Sequence, residues 1–319
     1  MIQTSLKLPS FAKINWFLHV PGKRADGYHE VITVLQTISL ADELSFQLRA
    51  DSEVSLVCDE PSIPVDDSNL VVKAANALRQ RAGAPSGVQI QLKKRIPAKG
   101  GLGGASTNAA VTLLALNELW KCGLDIDDLV SLGSELGADV PFFLLGGRCV
   151  ATGTGTSLTP VSDVPKQHLV TITPNAQVST AEAYASLNAA SLTTSESASI
   201  LSSSLAELNS ADSRQWPLRN DFEKVIFEIE PEIERAKSAL LDAGARGALL
   251  AGSGSSVFGL FDSETARNRA CEDLKCEAGW RVFPCETLSR DEYFSAINSS
   301  GFPLLRSLKT ADRDTGTGA

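Results

Sequence analysis

The stretch Pro97-Ala98-Lys99-Gly100-Gly101-Leu102-Gly103-Gly104-Ala105-Ser106-Thr107-Asn108 decides how the rest of the chain is read. Before it, Gly87-Val88-Gln89-Ile90-Gln91-Leu92-Lys93 alternates apolar and polar residues and predicts a strand. After it, Ala109-Ala110-Val111-Thr112-Leu113-Leu114-Ala115-Leu116 is apolar on several faces and unbroken until Gly123. That predicts a largely buried helix over 105–121. Four glycines within residues 100–104 let a backbone approach a ligand closely and adopt positive φ. The helix start adds unpaired N–H groups and the positive end of the helix dipole. Ser106, Thr107 and Asn108 add short side-chain donors in the first turn. Strand, glycine loop and buried helix in this order predict a loop that holds a chain of phosphates.

Two common phosphate loops do not fit. The P-loop of nucleotide triphosphatases needs a Lys-Ser/Thr pair after its last glycine, and here Ala105-Ser106 follows. The dinucleotide fingerprint needs a third Gly or Ala where Ser106 stands, and a second strand ending in an acid, which does not follow.

With 319 residues the chain is long enough for one large or two medium domains with real cores. Its 43% hydrophobic and 21% charged residues are those of an ordinary globular protein. A net charge of −9 argues against general nucleic-acid binding or an anionic membrane surface. No apolar run reaches membrane-spanning length, and the first residues resemble neither a signal nor a transit peptide, so the expectation is a cytoplasmic protein. Six cysteines without Cys-x-x-Cys pairs and only three histidines predict buried free thiols rather than disulfides or a zinc site.

Outward from the loop, residues 5–20 predict a strand that is mostly apolar from Ala12 to Val20 yet carries Lys13 and Asn15 two apart on one face. A lysine there is costly unless paired or used, although a strand-end lysine reaching for solvent is the plain alternative. Pro21 to Glu30 is a turn-rich loop presenting Tyr28 and His29. Strands are expected at 31–40, 42–49 and 53–58, a helix over 67–81 and another over 125–136. Asp139 follows, between a glycine-terminated helix and the apolar run Pro141-Phe142-Phe143. Alone it reads as a turn or capping aspartate; its functional reading is a partly desolvated carboxylate. Residues 159–167 read as a linker, 168–173 as a strand, 179–188 as a short helix, and the serine-rich 190–204 as a mobile loop. A helix over 221–242 is expected to break at Pro231. Gly252-Ser253-Gly254-Ser255-Ser256 is a second glycine-serine turn between two apolar strands, followed by a helix over 263–278 and a strand over 280–286.

The loop Pro-x-x-x-Gly-Leu-Gly-Gly-x-Ser-x-Asn, the early Ala12-Lys13-Ile14-Asn15 and the late Gly-Ser-Gly-Ser-Ser resemble, in order and spacing, the three motifs of the GHMP kinase superfamily over roughly residues 5–290. Arg24-x-Asp26-Gly27-Tyr28-His29 and Leu136-Gly137-Ala138-Asp139-Val140-Pro141 resemble the branch that phosphorylates a cytidyl sugar alcohol. The resemblance implies an α/β (α+β) fold in two parts. An ATP-binding domain like ribosomal protein S5 domain 2 would span 1–158, and a C-terminal GHMP kinase domain 159–304. The tail 305–319 is expected to be disordered. It implies transfer of the ATP γ-phosphate to the 2-hydroxyl of the methylerythritol unit, with magnesium arriving on the nucleotide and no dedicated metal site. A monomer or weak homodimer is expected.

Carried over by motif, Asp139 is the catalytic carboxylate and Lys13 its partner at the transferred phosphoryl. Pro97, Lys99, Gly100, Gly101, Leu102, Gly103, Gly104, Ala105, Ser106, Thr107 and Asn108 wrap the ATP phosphates, with Asn69, Leu70 and Lys94 near the adenine. Asn15 holds the substrate, Tyr28 and Tyr184 sandwich the cytosine, His29 meets the base edge, and Gly252, Ser253, Gly254 and Ser255 shape the substrate side. Lys99 and Thr107 depart from the usual small residue and Ser. The alternatives are another GHMP kinase, of homoserine or mevalonate type, and a non-catalytic sensor of the same fold. The Tyr28-His29 loop weighs against the first and the Lys13 and Asp139 pair against the second.

Overall fold

The computed structural model describes residues 4–84, 86–187, 199, 202 and 218–298. The serine-rich stretch lies almost entirely outside these residues, and the tail from 305 wholly so.

Two long strands, β1 (Ser5–Lys23) and β2 (His29–Arg49), pair antiparallel and form the spine of the first sheet. The order β3 (Val54–Cys58), β4 (Gly87–Lys93), β2, β1, β8 (Arg219–Asn220) is completed by β5 (Arg148–Thr152) and β6 (Ser157–Pro160) beside β2. A second, four-stranded antiparallel sheet runs β11 (Arg281–Glu286), β7 (His168–Thr173), β10 (Val257–Phe261), β9 (Gly247–Leu250). The expected strands 31–40 and 42–49 are one continuous strand, because β2 bends through irregular pairing with β1 instead of breaking at Ala41-Asp42.

Burial explains the composition of β1. From Ser10 to Leu18 it is buried on both faces, whereas Ser5 to Leu8 alternates exposed and buried. One face of the first sheet is covered by α1 (Leu70–Ala82), α2 (Gly104–Leu119), α3 (Ile126–Leu136), α4 (Val140–Leu145) and Tyr293 of the last helix. On the other face Ala12, Ile14, Trp16 and Val34 meet Leu169, Leu249 and Phe258 of the second sheet. That sheet's far face is covered by α5 (Thr180–Ser186), α6 (Glu223–Ile229), α7 (Pro231–Asp242) and α8 (Glu264–Leu274). The layers therefore run helices, sheet, sheet, helices. Pro231 does divide the long helical stretch, into α6 and α7. The short α4 and the last helix, α9 (Arg290–Asn298), were not anticipated. All six cysteines are unpaired, but only Cys149, Cys271 and Cys285 are buried, so the expectation of buried thiols holds for half of them.

Candidate active site

The glycine loop links β4 to α2, and its conformation requires glycine where the sequence has it. At Gly101, with φ of +74°, a Cβ would stand 1.9 Å from the Ala251 carbonyl oxygen; at Gly103, also at +74°, it would stand 2.6 Å from the Phe143 ring. The loop thus lies directly on the second glycine-serine turn, to which Ser256 N–H adds a hydrogen bond at the Gly100 carbonyl (3.1 Å). Gly103 caps α2 without a side chain, so no capping side chain engages the N–H groups of the first turn. Leu102 and Pro97 are buried beneath the loop, while Lys99 and Ala105 are exposed and Ser106 is half-buried.

Thr107 and Asn108 do not face the loop's concave side. Both are buried: Ser10 Oγ donates to Asn108 Oδ1 (2.7 Å), and the Thr107 hydroxyl lies 3.1 Å from the same Ser10 Oγ. Lys94 Nζ stands 2.7 Å from the buried Asp42 and lines a separate groove beside β11. Asn69 caps α1, accepting from Val71 N–H (2.9 Å), and Leu70 is its first residue; neither lines the cleft described next.

Where the loop, β1 and the second turn meet, a cleft of about 680 Å³ opens. Gly101, Gly103 and Ser106 form one wall, Lys13, Asn15 and Asp139 the floor, and Tyr28, His29 and Tyr184 the opposite end, with Gly252 and Ser253 at the side. Ala12 and Ile14 point into the inter-sheet core, so the alternation of β1 sends Lys13 and Asn15 to the cleft. Lys13 Nζ donates to Asn15 Oδ1 (2.8 Å) and lies 3.8 Å from Asp139 Oδ2. Asn15 Nδ2 donates to Thr33 Oγ1 (2.7 Å), which donates to the Phe17 carbonyl (2.7 Å). Each member of this row fixes the next, so the ammonium has a defined direction. Burial lowers the Lys13 pKa from its ordinary 10.5, and the Asp139 charge offsets part of that. Gly252, at φ +57°, leaves the ammonium room: a Cβ there would stand 3.1 Å from Nζ.

Asp139 is the first residue before α4 but makes no capping hydrogen bond, so its carboxylate is not engaged with the helix. The capping reading therefore gives way to an oxygen pair turned to the lysine. At the far end, Tyr28 stands 67% exposed on the loop braced by Arg24 with Asp26 and Glu30. The ring found against Tyr184 is His29, with centroids 4.8 Å apart and planes 32° apart, and Phe222 meets Tyr184 edge-on at 4.9 Å. Burial and the Asp139 charge push the Tyr184 phenol up to about 12, and burial beside Lys23 lowers the His29 imidazole from 6.5. Both rings are neutral near pH 7. Ser255 and Gly254 are buried behind Ser253, whose hydroxyl meets that of Thr180 at 3.0 Å.

Sequence reading missed Thr33, Phe222 and Asn220. Asn220 Nδ2 donates to the carbonyls of Leu250 (2.9 Å) and Gly252 (2.7 Å), and its Oδ1 accepts from Phe222 N–H (3.0 Å). The polar run Arg219-Asn220-Asp221 ahead of an apolar helix was the available signal.

A glycine loop over a helix start faces a lysine and a carboxylate, the arrangement that the resemblance to the GHMP kinases implies. Residues 69–147 match the GHMP kinases N terminal domain and residues 197–279 the GHMP kinases C terminal family. A 4-diphosphocytidyl-2-C-methyl-D-erythritol kinase of Citrifermentans bemidjiense is 39% identical over 283 residues, 89% of this chain and 99% of that protein. The protein of the same name from Pseudomonas syringae pv. syringae is 42% identical over 269 residues, 84% and 90% of the two chains. A crystal structure of 4-(cytidine 5'-diphospho)-2C-methyl-D-erythritol kinase superposes with a TM-score of 0.73 at 34% identity, covering 88% of this chain and 99% of that one. A homoserine kinase from Cytophaga hutchinsonii shares the fold, with a TM-score of 0.69 at 20% identity over 91% of this chain and 96% of that one. The chain belongs to the 4-diphosphocytidyl-2-C-methyl-D-erythritol kinase family.

Proposed function

We propose that the chain transfers the γ-phosphate of ATP to the 2-hydroxyl of 4-diphosphocytidyl-2-C-methyl-D-erythritol, giving the 2-phosphate and ADP on the route to isoprenoid precursors. The observation that carries this reading is the Lys13–Asp139 pair, 3.8 Å apart, on the floor between the glycine loop and the aromatic end. A kinase of this kind works by positioning and by neutralising charge. The amides at the start of α2 and the glycine-lined loop receive the phosphates of ATP, and the adenine extends out of the cleft toward Lys94, Asn69 and Leu70, none of which lines it. The acceptor hydroxyl hydrogen-bonds to Asp139. As its oxygen bonds to the γ-phosphorus, the bond to the bridging β–γ oxygen breaks, ADP leaves, and the hydroxyl proton passes to the carboxylate side. The Lys13 ammonium, held by Asn15, offsets the charge on the moving phosphoryl oxygens. Magnesium bound with the nucleotide would supply further charge neutralisation, and the Ser106 hydroxyl and Asp139 carboxylate are the oxygen donors of the cleft that would hold it.

The cytosine belongs with Tyr28, His29 and Tyr184. Ring faces give sequence-tolerant affinity, and the neutral His29 offers its edge to the base. Since His29 lies against Tyr184, a base between Tyr28 and Tyr184 enters by displacing that contact or by stacking outside it. Residues 1–158 would serve as the ATP-binding part and 159–304 as the substrate-side part. No described helix is long and apolar enough to cross a membrane; a cytoplasmic monomer or weak homodimer is the form proposed.

ADP release from ATP and magnesium, measured with the cytidyl compound, homoserine and mevalonate in turn, tests the reading. Turnover with the cytidyl compound alone is expected. Turnover with another acceptor would keep the fold and remove the roles given to Tyr28 and His29. No turnover with any, alongside thermal protection by cytidine nucleotides, would make the protein a sensor.

A further inference from the structure

Asp42 sits directly across from Ser10 in the β1–β2 pairing, and both side chains are wholly buried behind the glycine loop. Its carboxylate accepts four hydrogen bonds, as many as its lone pairs allow. Oδ1 accepts from the backbone N–H groups of Arg95 (2.6 Å) and Ile96 (2.8 Å). Oδ2 accepts from Lys94 Nζ (2.7 Å) and from Asn108 Nδ2 (3.0 Å). Residues 94–96 lead into the glycine loop and Asn108 lies in the first turns of the helix that leaves it. Asn108 is gripped from its other side by Ser10 Oγ, three residues before Lys13. One carboxylate therefore clamps both ends of the segment 97–107 and refers them to the strand that carries the lysine.

Nothing in the packing asks for this. A buried ion pair gives little net stability over apolar residues of similar volume, while its directional bonds specify geometry. The loop itself is glycine-rich, and of its side chains only those of Pro97 and Leu102 are buried to anchor it. From these observations we infer that Asp42 is a positioning residue for ATP: it fixes the loop amides where the nucleotide phosphates need them, without touching the nucleotide. The inference rests on the glycine loop's being the ATP site, as proposed above.

The test is Asp42→Asn, assayed well below its melting temperature. The carbonyl of the introduced side chain keeps both backbone bonds, but its NH2 group faces two donors. The KM for ATP is expected to rise at least about tenfold while that for the cytidyl acceptor stays within about twofold, a split that general loosening would not produce. Exchanging the two groups, in Asp42→Asn with Asn108→Asp, restores a donor facing a carboxylate and is expected to recover most of the ATP affinity. An unchanged KM for ATP in folded Asp42→Asn, or equal rises in both KM values, overturns the inference. If Asp42→Asn does not fold, Asn108→Ala, which keeps the Asp42–Lys94 pair, carries the test: ATP affinity equal to wild type overturns it, and selective loss supports it. Calorimetric titration with a non-hydrolysable ATP analogue reads the same loss without an acceptor. A wild type that binds the analogue but does not phosphorylate the cytidyl compound thus defeats the substrate reading and leaves this inference to be judged on the analogue.

Discussion

On the proposed reading, the groups that meet a ligand at one end of the cleft are backbone amides of the loop and helix start, carried on residues packed against Ala251, Phe143 and buried strand positions. At the other end they are the rings of Tyr28, His29 and Tyr184, of which Tyr28 is 67% exposed, its loop held by hydrogen bonds within the turn and by the Arg24 ion pairs. The contrast follows from the ligands each end suits. Phosphates are bound by many short donors at fixed positions, which a backbone supplies only if it is immobilised. A base is bound through ring faces, which tolerate small displacements. Substitutions at the first end should therefore disturb stability and ATP together, and those at the second end only the acceptor.

The largest effect is expected between the two ends, at Asp139. Asp139→Asn should lower turnover by about 10²–10⁴-fold, the usual worth of a positioned acid–base group, with nucleotide affinity retained. Rapid-quench turnover with analogue titration checks both, and turnover near wild type would remove Asp139 from the chemistry. The same variant has a pH signature. Lys13 already releases its proton below 10.5, and losing the Asp139 charge removes an influence that raises its pKa. The alkaline limb of analogue binding should move to lower pH. Because the unfolded lysine keeps its proton up to its ordinary value, stability rises with pH between the folded pKa and 10.5, and in the variant that rise should begin lower.

Gly101→Ala sharpens the backbone side. Its Cβ would meet a backbone oxygen at 1.9 Å in a left-handed conformation, so the turn at 251–254 must move with the loop. Strain of this kind is worth about 1–3 kcal/mol, and a matching fall in melting stability with weakened ATP binding is expected. An unchanged melting temperature would mean that the two turns are not seated on one another. Tyr28→Ala probes the other side. Losing one stacked ring should weaken acceptor binding by about 1–3 kcal/mol with stability nearly untouched. If ATP binding weakens instead, the ring loop does not serve the base.

The same contrast explains what could be read from sequence. The glycine loop, the Lys13–Asn15 spacing, the Pro231 break and the second glycine-serine turn are local patterns, and each lies where its pattern implies. Asp42 reads in sequence as a joint between two strands, because its four partners lie more than fifty residues further on. Thr33 and Asn220 are likewise ordinary polar residues until folding brings Asn15 and Gly252 beside them. The α4 helix was missed because it is only six residues long and opens on Asp139-Val140-Pro141, which locally resembles a turn. Side chains that touch ligands tend to leave local motifs; those that hold such side chains in place need not.

The smallest expected effect asks whether the phosphate end is built of backbone alone. Lys99 is an exposed non-glycine residue with a left-handed backbone, at φ 57°, in the middle of the loop. Replacing it by glycine relieves about 1 kcal/mol of backbone strain and adds roughly as much unfolded-chain entropy, so melting stability should scarcely change. If the amides carry the phosphates, the KM for ATP in Lys99→Gly should rise less than about threefold, the weak influence of one solvated charge. A rise of tenfold or more, suppressed by added salt, would show that the ammonium reaches the phosphates and that this wall also relies on a mobile side chain.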